Sequence, residues 1–215
     1  DAIAHHMLPA SPYDLWVRGD LADCLHIPDD GTRVEVVWGE IVLSPAPNLS
    51  HNKIIRDVER GQFAAELADA SYRWRSVQTT DLNLVHIANG YVPDLILLDA
   101  KVLDEVNEAG ARHLVPEQVE LVMEVTSPGT AHLDRGPAGG KRRRTKLNGY
   151  ASVGIPHYLL VDRDPRNPHV ALMSDPDPSS RLYRSRSTWP FGGVIRLPDP
   201  FGFEIDTESW QPWSS

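Results

Sequence analysis

Two stretches decide the fold of this chain: VPDLILL at Val92–Leu98 and VELVMEVT at Val119–Thr126. Both are nearly continuous apolar runs, which is the pattern of strands that are covered on both faces. Asp94 lies near the start of the first run, and Glu124 lies near the end of the second, within the apolar stretch that follows Glu120. The pattern predicts two central strands of a sheet, each with an acidic side chain inside its apolar stretch.

The segments around these strands alternate between helical and extended patterns. Apolar residues recur at helical spacing between Asn48 and Ala70, which predicts the clearest helix. Apolar and β-branched residues on both sides of Trp38-Gly39 predict a hairpin from Arg33 to Leu43, whose two strands begin the sheet. Ser11-Pro12 is a good helix start and indicates a first helix that runs to about Cys24. The other predicted elements are strands at Tyr72–Val77, Asp81–Ile87, Ile155–Val161, Val170–Met173, Arg181–Ser185 and Val194–Leu197, and a helix from about Arg142 to Val153.

The length of 215 residues suits one domain with one sizeable core. We expect an α/β fold with a central mixed sheet, flanking helices and extra strands at the C-terminus. Residues 11–215 are expected to form this single domain, and residues 1–10, which include His5-His6-Met7, to form a disordered or vector-derived tail.

The composition narrows the possible functions. Hydrophobic residues make up 41% of the chain, and no stretch approaches the roughly 20 apolar residues that a membrane helix needs. Cys24 is the only cysteine, so an internal disulfide and a cysteine-rich zinc site are both excluded, and a cytoplasmic location is expected. The chain lacks the G-x-S-x-G, H-E-x-x-H and G-x-G-x-x-G motifs, which argues against serine hydrolases, zincins and dinucleotide-binding enzymes.

The charge distribution is uneven. A formal net charge of −9 argues against a protein that coats nucleic acid through a global basic surface. Within this acidic background, basic residues concentrate in one run: Lys141, Arg142, Arg143, Arg144 and Lys146. The run indicates either a local phosphate-binding cleft or a solvated loop, and composition leaves both open.

A carboxylate in an apolar strand is costly to desolvate, so Asp94 and Glu124 are each expected to be paired, hydrogen-bonded or metal-bound. If their strands are neighbours, both side chains can reach one hard divalent cation, because such ions prefer oxygen ligands. The alternative is purely structural: Asp94 would cap a loop and Glu124 would form a salt bridge.

Several short motifs extend this pattern. They are RVEVVWGE (33–40), SPAP (44–47), His51, Pro93-Asp94, EVTSPGT (124–130), Asp134, Lys146 with Tyr150, GIPHY (154–158) and Val161-Asp162. In this order the motifs resemble the PD-(D/E)XK nucleases and, more narrowly, the Uma-type restriction endonuclease family. The resemblance extends from about Pro12 to Asp162.

The resemblance implies roles for individual residues. Asp94 and Glu124 would be ligands of Mg²⁺ or Mn²⁺, with the backbone carbonyl of Val125 as a third ligand. Glu35 and His51 fall where the family has an acidic residue and a histidine beside the catalytic site. A capping or surface role for His51, and a solvent-facing position for Glu35, are the alternatives.

The chain departs from the family pattern at one position. Thr126 occupies the third place of the D/E-X-K triplet and cannot supply the positive charge that stabilises the attacking group or the phosphate. The resemblance places the lysine on the following helix, at Lys146, which shares a helical face with Tyr150. Lys141 is the alternative source of this charge.

The function implied by the resemblance is a metal-dependent DNA endonuclease, with the run from Lys141 to Lys146 guiding the DNA backbone. A homodimer would suit paired cuts in a duplex. Two other classes stay open: a nuclease-fold protein that binds nucleic acid or regulates without cutting it, which Thr126 favours, and an interaction module whose strand carboxylates form structural ion pairs.

Overall fold

The structure is a computed structural model and describes residues 8–136 and 144–214. Its helices are α1 (Pro12–Arg18), α2 (Leu21–Cys24), α3 (Leu49–Ala68), α4 (Ala100–Glu108), α5 (Ala131–Asp134) and α6 (Lys146–Ser152). Its strands are β1 (Arg33–Val37), β2 (Glu40–Ser44), β3 (Trp74–Gln78), β4 (Leu82–Leu84), β5 (Asn89–Tyr91), β6 (Leu95–Asp99), β7 (Leu121–Val125), β8 (His157–Asp162), β9 (His169–Asp177), β10 (Leu182–Pro190), β11 (Val194–Arg196) and β12 (Glu204–Asp206).

A six-stranded mixed sheet forms the centre, in the order β10-β9-β8-β7-β6-β3. Strands β7 and β8 are parallel and the other neighbours are antiparallel. The two apolar runs supply β6 and β7, which are interior strands, and their apolar residues are buried. The predicted α/β fold with a central mixed sheet, flanking helices and additional C-terminal strands is confirmed.

The predicted hairpin of β1 and β2 exists, but its assignment to the central sheet is wrong. The hairpin belongs to a separate four-stranded sheet in the order β2-β1-β5-β4. Strand β5 was not predicted, and it joins β1 by pairing Gly90 with Val36. A side chain at Gly90 would lie 2.2 Å from the ring of Trp16, so this close approach requires glycine. Hairpin patterning fixes local pairing, whereas the choice of sheet depends on distant residues.

Helices cover both faces of the central sheet. Helix α3 buries Ile54, Ile55 and Val58 in a cluster that also contains Ile205 of β12 and Phe203, which directly precedes that strand. Helix α6 contributes to a second cluster, which lies on the other set of strand side chains. The first half of the apolar stripe of α3 therefore has the role that its spacing predicts, whereas Phe63 and Leu67, which continue the same spacing, are exposed.

Several local elements differ from the predictions. The first helix is broken at Gly19, whose φ of 80° ends α1 before α2 begins. The predicted strand after Asp81 ends at Leu84 and continues as a 3₁₀ turn. Helix α4 was not predicted, although Asp99 caps it through the backbone N–H of Lys101. The predicted helix start at Arg142 lies outside the described residues, and α6 begins at Lys146.

No described helix has the length and apolar character needed to cross a bilayer.

Candidate active site

Asp94 and Glu124 lie side by side on neighbouring strands. Asp94 directly precedes β6, Glu124 is the fourth residue of β7, and the two strands are antiparallel. The register pairs Leu95 with Met123, and the Asp94 backbone N–H donates a 3.1 Å hydrogen bond to the Met123 carbonyl. One step further along this register, Asp94 stands opposite Glu124. The strand pairing therefore brings two residues 30 positions apart to one place.

The Asp94 carboxylate is buried and held by three groups. Oδ1 accepts a 2.6 Å hydrogen bond from Arg33 Nη1, and Oδ2 accepts a 2.7 Å bond from the Val125 backbone N–H. His51 Nε2 lies 2.9 Å from Oδ1, but the ring N–H is not aligned for a hydrogen bond. Burial would raise the pKa of Asp94; His51 and Arg33 outweigh burial and hold it at about 2. Asp94 is ionised.

For the Glu124 carboxylate, the effect of burial on the pKa exceeds that of the neighbouring positive charge. Its Oε1 accepts a 2.5 Å hydrogen bond from the Tyr150 hydroxyl and lies 3.1 Å from Lys146 Nζ. Burial raises the pKa of Glu124 well above its usual range, because the attraction of Lys146 offsets burial only in part and Asp134 and Asp94 repel. Glu124 is thus the more easily protonated of the two strand carboxylates.

Lys146 lies at the centre of the acidic residues. Its Nζ is 2.8 Å from Glu35 Oε1, 3.1 Å from Glu124 Oε1 and 3.9 Å from Asp134 Oδ1. The residue is only 5% exposed. Burial alone would lower the pKa of Lys146, but the three carboxylates outweigh it and raise the pKa. A capping box between Thr145 and Asn148 fixes the start of α6, so the helix position sets the position of this ammonium group.

Glu35 and Asp134 complete the cluster. Glu35 is 1% exposed and also accepts a 2.7 Å hydrogen bond from the Val92 backbone N–H, so the alternative of a solvent-facing residue is wrong. Asp134 is buried at the end of α5, and burial raises its pKa to about 7. We call Glu35, Asp94, Glu124 and Asp134 the acidic cluster.

The acidic cluster carries more negative than positive charge. Its four carboxylates face two permanent cations, Lys146 and Arg33, so full ionisation leaves two negative charges without a counter-charge. In a buried site this excess must be balanced by protons or by a bound cation. The pKa values of Glu124 and Asp134 are raised, so these two carboxylates take up protons more easily and the excess negative charge is reduced.

The acidic cluster opens onto a cleft with a volume of about 690 Å³. Asp94, Glu124 and Val125 line the cleft, together with Asp134 and Lys146. Across residues 8–136 and 144–214, no group of three or more His, Cys, Asp or Glu side chains has the arrangement of a metal site. In this structure Asp94 and Glu124 are instead engaged by Arg33 and Lys146.

Thr126 has a structural role. Its hydroxyl donates a 3.2 Å hydrogen bond to Asp162 Oδ1 and accepts a 2.9 Å bond from the Arg163 backbone N–H. These bonds join the end of β7 to the end of β8. A lysine at this position would lose both of them, and the ammonium group near Glu124 comes from Lys146 instead.

The other sequence-predicted residues have mixed outcomes. His51 is buried beside Asp94, so a surface role is wrong, and its backbone N–H is bound by the capping residue Asn48. Arg144 is exposed. Lys141, Arg142 and Arg143, including the alternative lysine, lie outside the described residues.

Sequence reasoning did not identify Arg33, Asp134 or Tyr150 as site residues. Tyr150 had a signal, because its spacing from Lys146 places both on one helical face. Asp134 had a weaker signal as one of the ordered motifs. Arg33 is also in one of the ordered motifs, RVEVVWGE, but an arginine at the start of a strand is usually a surface residue.

Comparison with known proteins identifies the family to which this chain belongs. A family model described as "Putative restriction endonuclease" matches residues 21–208. The chain belongs to the Uma2 family. This confirms the resemblance seen in the sequence and supports nuclease as the class of activity. No curated protein matches the chain.

A solved structure gives independent support for the fold. It is described as a "putative nuclease belonging to DUF820" from Anabaena variabilis ATCC 29413. The match has a TM-score of 0.58 and 16% sequence identity, and it covers 86% of this chain and 95% of the other. At this identity the likeness shows a shared fold.

Proposed function

We propose that this Uma2 protein is a metal-dependent endonuclease that hydrolyses phosphodiester bonds in DNA. The observation that carries the proposal is the position of Asp94 beside Glu124 on β6 and β7, at the wall of a cleft, with Lys146 reaching the same carboxylates from α6. Acidic residues on adjacent strands and a nearby lysine are the groups that a metal-assisted phosphodiester cleavage needs.

The donor set fits Mg²⁺ or Mn²⁺. Asp94 and Glu124 offer carboxylate oxygens, and the backbone carbonyl of Val125, the residue after Glu124, is the proposed third ligand. The two uncompensated negative charges of the acidic cluster match the charge of a divalent ion. When bound, such an ion lowers the pKa of a water molecule and neutralises negative charge on the phosphate.

The protein side chains have distinct proposed roles. Lys146 remains protonated, because its carboxylate neighbours raise its pKa, and it stabilises negative charge that develops on the phosphate. Tyr150 fixes the orientation of Glu124 through its 2.5 Å hydrogen bond. Glu35 holds Lys146 in place at 2.8 Å. His51 lies 2.9 Å from Asp94 and is the proposed catalytic histidine of the site.

The same proposal implies DNA as the partner, a homodimer and a cytoplasmic location. Lys141, Arg142, Arg143 and Arg144 would bind the DNA backbone near the cleft, which makes binding sensitive to salt. A homodimer would allow paired cuts in a duplex. The single cysteine, Cys24, fits a cytoplasmic enzyme.

A second candidate function is a nuclease-fold protein that binds nucleic acid without cutting it. Two observations favour it: Thr126 replaces the triplet lysine, and Arg33 and Lys146 already pair with Asp94 and Glu124. In this case the ion pairs would be permanent structural links, and added Mn²⁺ would not displace them.

Mn²⁺ titration by calorimetry and a DNA cleavage assay together decide between these functions. Wild-type protein, Asp94→Asn, Glu124→Gln and the control Glu120→Gln are compared; Glu120 directly precedes β7 and does not line the cleft. We expect Mn²⁺ binding and Mn²⁺-dependent cleavage in the wild type and the control, and loss of both in the two other variants. Full cleavage by Asp94→Asn or Glu124→Gln would refute the metal-ligand assignment. Binding of DNA without any cleavage or Mn²⁺ uptake would favour the second function.

A further inference from the structure

Two residues that line the cleft have no role in the proposed reaction. Arg163 follows directly after β8, and Trp213 lies beyond the last strand. The Trp213 backbone N–H donates a 3.1 Å hydrogen bond to the Arg163 carbonyl, and Arg163 Nε donates a 3.1 Å bond to the Gln211 carbonyl. These bonds fix the C-terminal segment against the end of β8, and both residues line the cleft that contains the acidic cluster.

Arg163 is a buried cation without an anionic partner among the described residues. It is 4% exposed, and no carboxylate in the described part of the chain lies within 4.0 Å of its guanidinium nitrogens. The neighbouring Asp162 and Asp164 are both paired with Arg135. Burial lowers the pKa of Arg163 with no acidic contact to offset it. Its two terminal nitrogens donate to no described residue and are not sealed from solvent. A buried charge of this kind is stabilised by an anionic ligand.

Trp213 differs from the other tryptophans. Four of them donate their indole N–H to the protein: Trp16 to Val34, Trp38 to Thr145, Trp74 to Pro200 and Trp210 to Asp57. Trp189 packs against the core. Trp213 belongs to no apolar cluster of the described residues and makes no indole hydrogen bond to them. Its described ring contact is with Arg135, whose guanidinium carbon lies 6.0 Å from the ring centre.

A half-buried indole in a polar cleft offers a flat apolar surface. Apart from the imidazole of His51, it is the only aromatic ring among the described residues that line the cleft. Nucleobases stack on such rings, and every base has a face that can do so. The Arg163 guanidinium in the same cleft supplies the forked donor that matches a phosphate.

We propose that Arg163 and Trp213 form a nucleotide subsite of the cleft, in which the guanidinium binds a backbone phosphate and the indole stacks on an unpaired base of the same strand. This inference rests on the proposed function, since it takes the nucleic-acid substrate as its ligand. It adds a preference for bases that are not held in a duplex.

The test measures binding of a short single-stranded DNA that contains 2-aminopurine, in EDTA, over a range of salt concentrations. Trp213→Ala should weaken binding about tenfold or more and reduce the quenching of 2-aminopurine, without changing the salt slope. Trp213→Phe should retain part of both. Arg163→Gln should weaken binding and reduce the salt slope by about one contact, whereas Arg163→Lys should keep the slope. Trp189→Phe and Arg184→Gln, outside the cleft, are the matched controls.

The outcomes separate this subsite from the proposed function. Wild-type protein that cuts DNA, together with unchanged binding by both Trp213 variants, overturns the subsite and leaves the function in place. Equal weakening of single-stranded and duplex DNA by Trp213→Ala overturns the stacking role. Wild-type protein that neither binds nor cuts DNA overturns the function and the subsite together. Thermal unfolding checks that each variant is folded. If Arg163→Gln does not fold, Arg163→Lys and the two Trp213 variants decide the result.

Discussion

The ammonium group of Lys146 lies 2.8 Å from the carboxylate of Glu35, and this ion pair joins helix α6 to the four-stranded sheet. The same ammonium is 3.1 Å from Glu124 in the central sheet. One side chain thus connects three separate elements of the fold at the candidate active site. Both contacts are buried, so removal of the lysine would leave two carboxylates without their cation.

Lys146→Ala should reduce cleavage far more than Lys141→Ala. Loss of one charge-stabilising group typically costs on the order of 100-fold in turnover, whereas loss of a phosphate contact weakens binding modestly. Steady-state cleavage kinetics with saturating Mn²⁺ measure the two effects, at a temperature where thermal melts show both variants folded. Equal losses in the two variants would mean that Lys146 only attracts phosphate.

Tyr150→Phe should reduce turnover by roughly tenfold while leaving KM nearly unchanged, because the hydroxyl orients Glu124 without contacting substrate. Loss of this buried hydrogen bond should also lower the free energy of unfolding by about 1–3 kcal/mol. Tyr183→Phe is the matched control, since its hydroxyl donates to the Ile155 carbonyl and does not line the cleft. Full turnover in Tyr150→Phe would show that Glu124 needs no such support.

Stability should depend on pH through Asp134. Burial raises its pKa from 3.8 to about 7, so the folded protein keeps a proton that the unfolded chain releases in this range. The resulting stabilisation is complete below pH 3.8 and is lost as the pH rises through about 7. Relative to Asp134→Asn, the wild-type free energy of unfolding should fall by up to about 4 kcal/mol between about pH 4 and about pH 8.

Urea denaturation of both proteins at a series of pH values measures this difference. The Asn variant cannot titrate at this position, so the pH dependence that remains in it belongs to other groups. Parallel curves for the two proteins would show that Asp134 is not a proton carrier in the folded state.

Thr126→Lys should fail to restore a conventional triplet. The hydroxyl of Thr126 links Asp162 to the backbone of Arg163, and the residue is fully buried. Thr126→Val should lower the free energy of unfolding by roughly 1–3 kcal/mol, and Thr126→Lys by more because it also buries a charge. Thermal unfolding tests this, with the exposed Thr188→Val as control. A stable and more active Thr126→Lys protein would contradict the structural role assigned to Thr126.

The central sheet could be predicted because its evidence is local. The runs that form β6 and β7 are apolar at consecutive positions, and the apolar residues of α3 recur at helical spacing. Residues close together in the sequence therefore specify these elements. The carboxylates Asp94 and Glu124 were noticeable for the same reason, since each interrupts an apolar strand. The acidic residues, the histidine and the lysine of the site also occur in an order that resembles a known family.

By itself, the sequence determined the fold class, the family and the candidate residues Glu35, His51, Asp94, Glu124 and Lys146. The tertiary structure alone decided that Arg33 and Tyr150 hold the two strand carboxylates and that β1 belongs to a second sheet. It also decided that Arg163, with no anionic partner in the described part of the chain, lines the same cleft as Trp213. The physical reason is distance along the chain. Periodicity reports which face of an element is buried, whereas pairing between residues far apart depends on how the elements pack.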